Sequence, residues 1–156
     1  QIMNLKPLLE RTHLNPGKRT LGKVQNFREL LQALEERELP DAVTEALNLK
    51  IDALNEMRGT EKEYRKALVN TEYKILKFLE KEHKIVPKNH YQKTWMALGM
   101  AVFGIPIGVA MGSALGNMGF IGAGIGVGLA IGIAVGAGMD KKARDEGRQL
   151  EFEARI

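Results

Sequence analysis

Few residues in this chain have the types and spacing to do chemistry. Gly17-Lys18-Arg19-Thr20 has the last residues of a phosphate-binding loop, but the upstream glycine of GxxxxGK[ST] and the strand that should precede it are missing. His83 and His90 are seven apart and would stack on one continuous helix, yet Pro87 lies between them and should break it, and no carboxylate or thiol stands at ligand spacing. Cysteine is absent, which excludes disulfides, thiolate metal sites and a thiol nucleophile. Most Asp and Glu residues lie three or four positions from a Lys or Arg, as on any solvated helix face. No nucleophile, base and oxyanion donor can be grouped, so the expectation is a non-enzymatic protein with no cofactor and no metal.

The elements that would position such residues carry more information. Of 156 residues, 42 are charged, yet Thr94 to Met139 holds none over 46 positions. A helix needs about 20 apolar residues to cross a bilayer, so this block predicts two passes joined by the uncharged turn Gly116-Asn117-Met118-Gly119. We place the first transmembrane helix over 95–116 and the second over 119–139. Residues 85–94 form a juxtamembrane hinge around Pro87, and 140–156 a charged C-terminal tail.

The basic groups Lys81, Lys84, Lys88 and Lys93 precede the block and Lys141, Lys142, Arg144 and Arg148 follow it. By the positive-inside rule both flanks stay cytoplasmic, in a bacterial inner membrane. Tyr91, Lys93, Trp95, Lys141 and Lys142 are the expected interface anchors. Residues 1–10 show no secretory signal, so the hairpin itself is expected to direct insertion. Residues 1–93 hold 18 basic and 14 acidic groups, a surplus too small to imply nucleic acid.

Residues 1–84 read as an amphipathic helical domain. Apolar stripes predict helices over 25–39 (Phe27, Leu30, Leu31, Leu34, closed by Pro40) and 41–58 (Val43, Leu47, Ile51, Leu54, with Gly59 at the C-cap). A capping box at Thr60–Glu63 opens a third helix carrying Tyr64, Leu68, Thr71, Ile75, Phe78 and Leu79. A short fourth helix is expected over Asn4–His13, before the break at Asn15-Pro16-Gly17. Three or four such helices can bury one modest core.

Within the block, Gly104, Gly108, Gly112 and Gly116 recur every fourth residue, as do Gly124, Gly128, Gly132 and Gly136. Residues 104–116 and 124–136 share seven of 13 aligned positions, so the passes form an internal repeat. Lipid tails are as apolar as leucine; helices therefore associate in a bilayer by close packing, which a glycine stripe permits. The second pass has another small stripe, Gly122, Gly126, Ala130, Ala134 and Gly138, about 200° from the first. One stripe can meet the first pass of the same hairpin and the other a second subunit. A homo-oligomer follows, closed as a ring because a heterologous contact that does not close makes filaments. Alternating small and large residues also suit a strand, but each pass is twice the length that a barrel strand of about 9–11 residues needs. Pro106 removes a backbone donor and is expected to hinge the first pass.

The two glycine runs resemble the glycine-zipper hairpins of several bacterial membrane and envelope proteins, over residues 95–139. The resemblance implies oligomerisation in a membrane and, for some members, a channel. Residues 122–128 also look like the glycine helix of the ATP-synthase rotor ring, but the rotor's carboxylate has no counterpart between 94 and 139. The lipidated cysteine of zipper-bearing envelope lipoproteins is likewise absent. The sequence thus predicts an all-α membrane protein: a cytoplasmic helical bundle followed by a glycine-zipper transmembrane hairpin. Its expected role is a channel or pore regulated by the helical domain, or alternatively a non-conducting scaffold whose helical domain recruits a partner protein.

Overall fold

The computed structural model describes residues 3–11 and 15–155. Every regular element among them is a helix, with no strand, and the chain divides into two compact units, Gln1–Ile85 with Leu150–Ile156, and Val86–Gln149.

In the first unit, α1 (Lys18–Glu35), α2 (Asp41–Glu56) and α3 (Glu61–His83) share a core built from Phe27, Leu30, Leu34, Leu47, Ile51, Leu68, Ile75 and Leu79. Helix α1 begins at Lys18, seven residues before the start at 25 that its apolar stripe predicts. Its first turn carries no apolar periodicity; the turn is held by Thr20, fully buried, whose hydroxyl donates to Glu61 at the start of α3. The Glu61 carboxylate also accepts from the Gly17 N–H at 3.0 Å, so one side chain joins two helix N-termini.

The capping box forms: Glu63 N–H donates to the Thr60 hydroxyl at 3.3 Å and Thr60 N–H to the Glu63 carboxylate at 2.8 Å. Gly59 is not a C-cap, because α2 ends earlier, at Glu56; a Cβ at Gly59 would strike that same Glu63 carboxylate at 2.7 Å. Helix α3 stops at Lys84, in the left-handed region at φ 56°, with Ile85 N–H returning to the Leu79 carbonyl at 3.1 Å.

Two expectations for this unit are corrected. Residues 4–11 are not helical; they run extended along α2, and His13 lies outside the described residues. Pro7 disfavours a helix there, and α2 offers side-chain partners to the backbone groups a helix would have paired internally. The stretch from 140 onward is not one charged tail. Helix α6 continues through Asp145, and Leu150 and Phe152 are buried in the core of the first unit.

The second unit is a helical hairpin. Its first arm comprises α4 (His90–Leu98), a π-helical turn (Gly99–Gly104) and α5 (Ile105–Leu115); its second is α6 (Phe120–Asp145). Both arms, His90–Leu115 and Phe120–Asp145, are 26 residues long and apolar enough to cross a membrane. Each begins or ends beyond the charge-free block, since flanking polar residues from His90 and up to Asp145 continue the helices. The hinge is correspondingly shorter than 85–94. It contains Pro87 and ends at Asn89, in the left-handed region at φ 56°. At the hairpin base Val86 pairs with Gln149, its N–H donating to the Arg148 carbonyl at 2.9 Å.

Candidate functional site: the glycine-lined hairpin

The arms touch along their glycines, and the contact is backbone on backbone. A Cβ at Gly104 would meet the Ile125 Cα at 2.9 Å, one at Gly108 the Ile121 Cα at 2.7 Å, and one at Gly128 the Gly104 Cα at 2.5 Å. Cβ atoms at Gly124, Gly132 and Gly136 would strike Gly108, the Trp95 carbonyl and the Gln92 Cα. Side chains larger than hydrogen at these positions would force the arms apart. Gly112 is looser, with Asn117 O and Met118 Sδ at 3.3 Å from such a Cβ.

Gly116 belongs to the fourfold repeat in sequence but not to the contact. Nothing lies within 4 Å of its hypothetical Cβ, and at φ 64° it terminates α5. Asn117 then closes the turn, accepting from Gly119 N–H at 2.9 Å through its side-chain oxygen.

Gly99 is a contact glycine that the repeat does not contain. It stands five residues before Gly104, not four, and a Cβ there would strike the Gly128 carbonyl. The π turn absorbs the extra residue: Ile105 N–H bonds to the Met100 carbonyl five residues back, so Gly99 and Gly104 both face α6. Pro106 follows at the start of α5, in a chain that stays helical on both sides of the widened turn. The signal in the sequence was the conjunction of an out-of-step glycine with a proline two residues past the next one.

The two small stripes of α6 have different fates. Gly124, Gly128, Gly132 and Gly136 are buried against the first arm. Gly122, Gly126, Ala130, Ala134 and Gly138 are exposed, and a Cβ at any of the three glycines would meet nothing within 4 Å. Leucines at Gly128 and Gly132 would therefore test the hairpin itself, whereas leucines at Gly122 and Gly126 leave it intact. Around the rest of the hairpin Val102, Phe103, Ile105, Val109, Val127 and Ile131 are exposed, an apolar exterior that suits lipid and not water.

Asp140, the first charge after the block, closes the hairpin's polar end. It is 6% exposed and its carboxylate accepts from the N–H groups of Tyr91 (3.0 Å) and Gln92 (2.9 Å). Asn89 makes no side-chain cap on α4, so the second arm supplies it. By position in the chain Asp140 belongs to the charged tail, but in the fold it faces the start of the other arm, which charge counting along the sequence does not register.

Tyr91, Lys93 and Trp95 lie in the first two turns of α4, half-buried, and Lys141 and Lys142 are exposed on α6. Gly136 packs on Gln92, which puts all five anchors at one end of the hairpin. The hydrogen bond that Arg148 donates to Glu146, and then its bond with Tyr91, raise the Arg148 pKa above its ordinary value and keep a fixed positive charge at that end.

The other candidates are not brought together. Thr20 is committed to Glu61, which removes it from any phosphate loop. His83 ends α3 with its ring edge-on to Phe78, and His90 begins α4 edge-on to Tyr91. Among the described residues no group of three or more His, Asp or Glu is placed to hold a metal ion. Comparison with family models, with curated proteins and with solved structures finds no match to this chain.

Proposed function

We propose that this chain is a bacterial inner-membrane protein whose glycine-zipper hairpins assemble into a closed homo-oligomeric ring that acts as a channel or pore, regulated by the helical unit from the cytoplasmic side. The observation that carries the reading is the exposed small stripe of α6, opposite the stripe that its own hairpin fills. In a bilayer, small residues are useful where another helix packs on them and contribute little against lipid. The stripe meets a different surface on the neighbour, and such a heterologous contact closes into a ring. The partners are thus the bilayer and further copies of the chain. The lumen would be apolar apart from Ser113, Asn117 and exposed backbone, which suits gating by dewetting, and the widened turn before Pro106 is the natural place for such a gate to flex.

The test is the mass and conductance of the full chain in nanodiscs and planar bilayers. Leucines at Gly122 and Gly126 should reduce the assembly to single hairpins and abolish conductance. Unchanged mass would remove the reading.

A second reading is a non-conducting scaffold, in which the hairpins cluster the helical units to recruit a partner protein. The absence of any charged side chain from Thr94 to Met139 favours it, since nothing in that stretch would hold a water column by charge. It predicts the same mass loss with no conductance in either form.

A further inference from the structure

Helix α1 buries an amide inside its apolar stripe. Asn26 stands beside Phe27 and one turn before Leu30, and is 1% exposed. Its amide nitrogen donates to the Glu72 carboxylate on α3 at 2.7 Å, while its oxygen, Oδ1, is buried with no hydrogen-bond partner among the described residues. An ionised carboxylate only accepts hydrogen bonds, so it cannot satisfy that oxygen. Turning the amide over would not help, because Oδ1 would then face a carboxylate oxygen. A protonated carboxyl is different: it carries one O–H beside one carbonyl oxygen, the complement of the amide's edge. The two groups then close a ring of two hydrogen bonds, Asn26 N–H to one Glu72 oxygen and Glu72 O–H to Asn26 Oδ1.

We propose that Glu72 and Asn26 form a proton-operated clasp: on acidification the Glu72 carboxyl donates to Asn26 Oδ1 and ties α1 to α3 by two hydrogen bonds, and on ionisation it leaves one. The surroundings favour the neutral form. Burial pushes the Glu72 pKa up, against the Asn26 hydrogen bond and the Lys23 charge, which lower it. Lys23, on α1, is the cation that acts on the carboxyl, and its ammonium also donates to the Arg155 carbonyl at 3.3 Å. One turn beyond Asn26 on α1, Glu29 is engaged by Arg155 of the C-terminal segment at 3.1 Å. On α3 itself the residues three and four positions from Glu72 are Leu68, Val69, Ile75 and Leu76, which carry no charge. A carboxyl whose pKa is raised by folding lends stability in acid, complete below the ordinary glutamate value and lost as pH rises through the raised one. The α1–α3 contact is therefore tighter as the pH around the helical unit falls toward that ordinary value, whether or not the hairpins assemble.

The test follows both groups by NMR in the full-length chain, in lipid nanodiscs, with 13C-labelled side-chain carbonyls. Between about pH 8 and pH 4.5 the Glu72 Cδ should titrate above the ordinary glutamate range, and the Asn26 Cγ should move with the same midpoint because its oxygen gains a donor. Amide exchange across α1, corrected for its intrinsic pH dependence, should slow several-fold over the same interval. Glu72→Gln replaces the O–H by an N–H that Oδ1 can accept, so α1 should be protected to the acid level at both ends of the titration. An Asn26 Cγ that stays still while Glu72 titrates, a Glu72 Cδ that titrates in the ordinary range, or protection in Glu72→Gln that still follows pH would overturn the clasp. Should Glu72→Gln fail to fold, the two carbon shifts in the unsubstituted chain decide the matter alone.

Discussion

Two glycines two residues apart on α6 give a controlled measurement of the hairpin contact. At Gly128 a Cβ would sit 2.5 Å from the Gly104 Cα and N and from the Gly99 carbonyl; at Gly126 it would meet nothing within 4 Å. All three obstructing groups are backbone, so no rotamer change relieves the clash, and ordinary contact requires the arms to part by about 1 Å. The separation also loosens the neighbouring Gly108–Gly124 approach. Overpacking of this kind costs about 1–3 kcal/mol. Replacing glycine by alanine favours a helix interior by about 1 kcal/mol, and that gain is common to both sites. Gly126→Ala should therefore be neutral or slightly stabilising, and Gly128→Ala should be less stable than Gly126→Ala by about 1–3 kcal/mol. The assay is unfolding of detergent-dispersed chain by SDS, at a dilution where its mass is that of one copy, followed by the fluorescence of Trp95, the single tryptophan. Trp95 is suited to this because its carbonyl faces Gly132 across the contact. Equal midpoints for the two variants would refute the assignment of the two faces.

Asp140→Ala should destabilise the hairpin by about 2–3 kcal/mol in the same titration, because two α4 N–H groups lose a charged acceptor; asparagine should fall between, and amide exchange at Tyr91 and Gln92 should accelerate. Lys84→Gly should stabilise α3 by about 1 kcal/mol, read as a rise in thermal midpoint, since glycine takes the left-handed conformation without penalty. Hydrogen bonds to Thr20 and Gly17 lower the pKa of Glu61, and hydrogen bonds to the Thr60 backbone and side chain lower that of Glu63. Their contribution is complete above the ordinary glutamate value and is lost as pH falls through the lowered ones. Glu72, raised chiefly by burial, acts the other way, favouring the fold in acid. Thermal midpoints should drop below about pH 4.5, and Glu61→Gln should flatten that drop.

Periodicity made α2, α3 and most of α1 legible, because a buried stripe at 3.6 residues per turn leaves its trace in one segment alone. What escaped depends on a second segment. Thr20 starts α1 through a carboxylate 41 residues away, and the segment from Asn4 to Arg11 is extended because Asn48 and Asn55 take its backbone, which no window around Asn4–Arg11 contains. Gly116 kept the phase of the repeat while serving as a terminator, since a positive φ and a tight contact both demand glycine and composition does not separate them. Gly99 and Asp140 are hidden from the local pattern for a related reason. The first is out of step by one residue until the helix widens, and the second faces the start of the other arm.

The widened turn also has a bearing on which length changes the gene can tolerate. Elsewhere along either arm, losing one codon would rotate all that follows by about 100° and carry the contact glycines off their face. Between Gly99 and Gly104 the loss of one residue would convert a five-residue turn into a four-residue one and leave both glycines where they are. That short stretch is the place in the hairpin where a single-codon deletion is expected to pass silently, and where chains of this kind can differ in length without differing in packing.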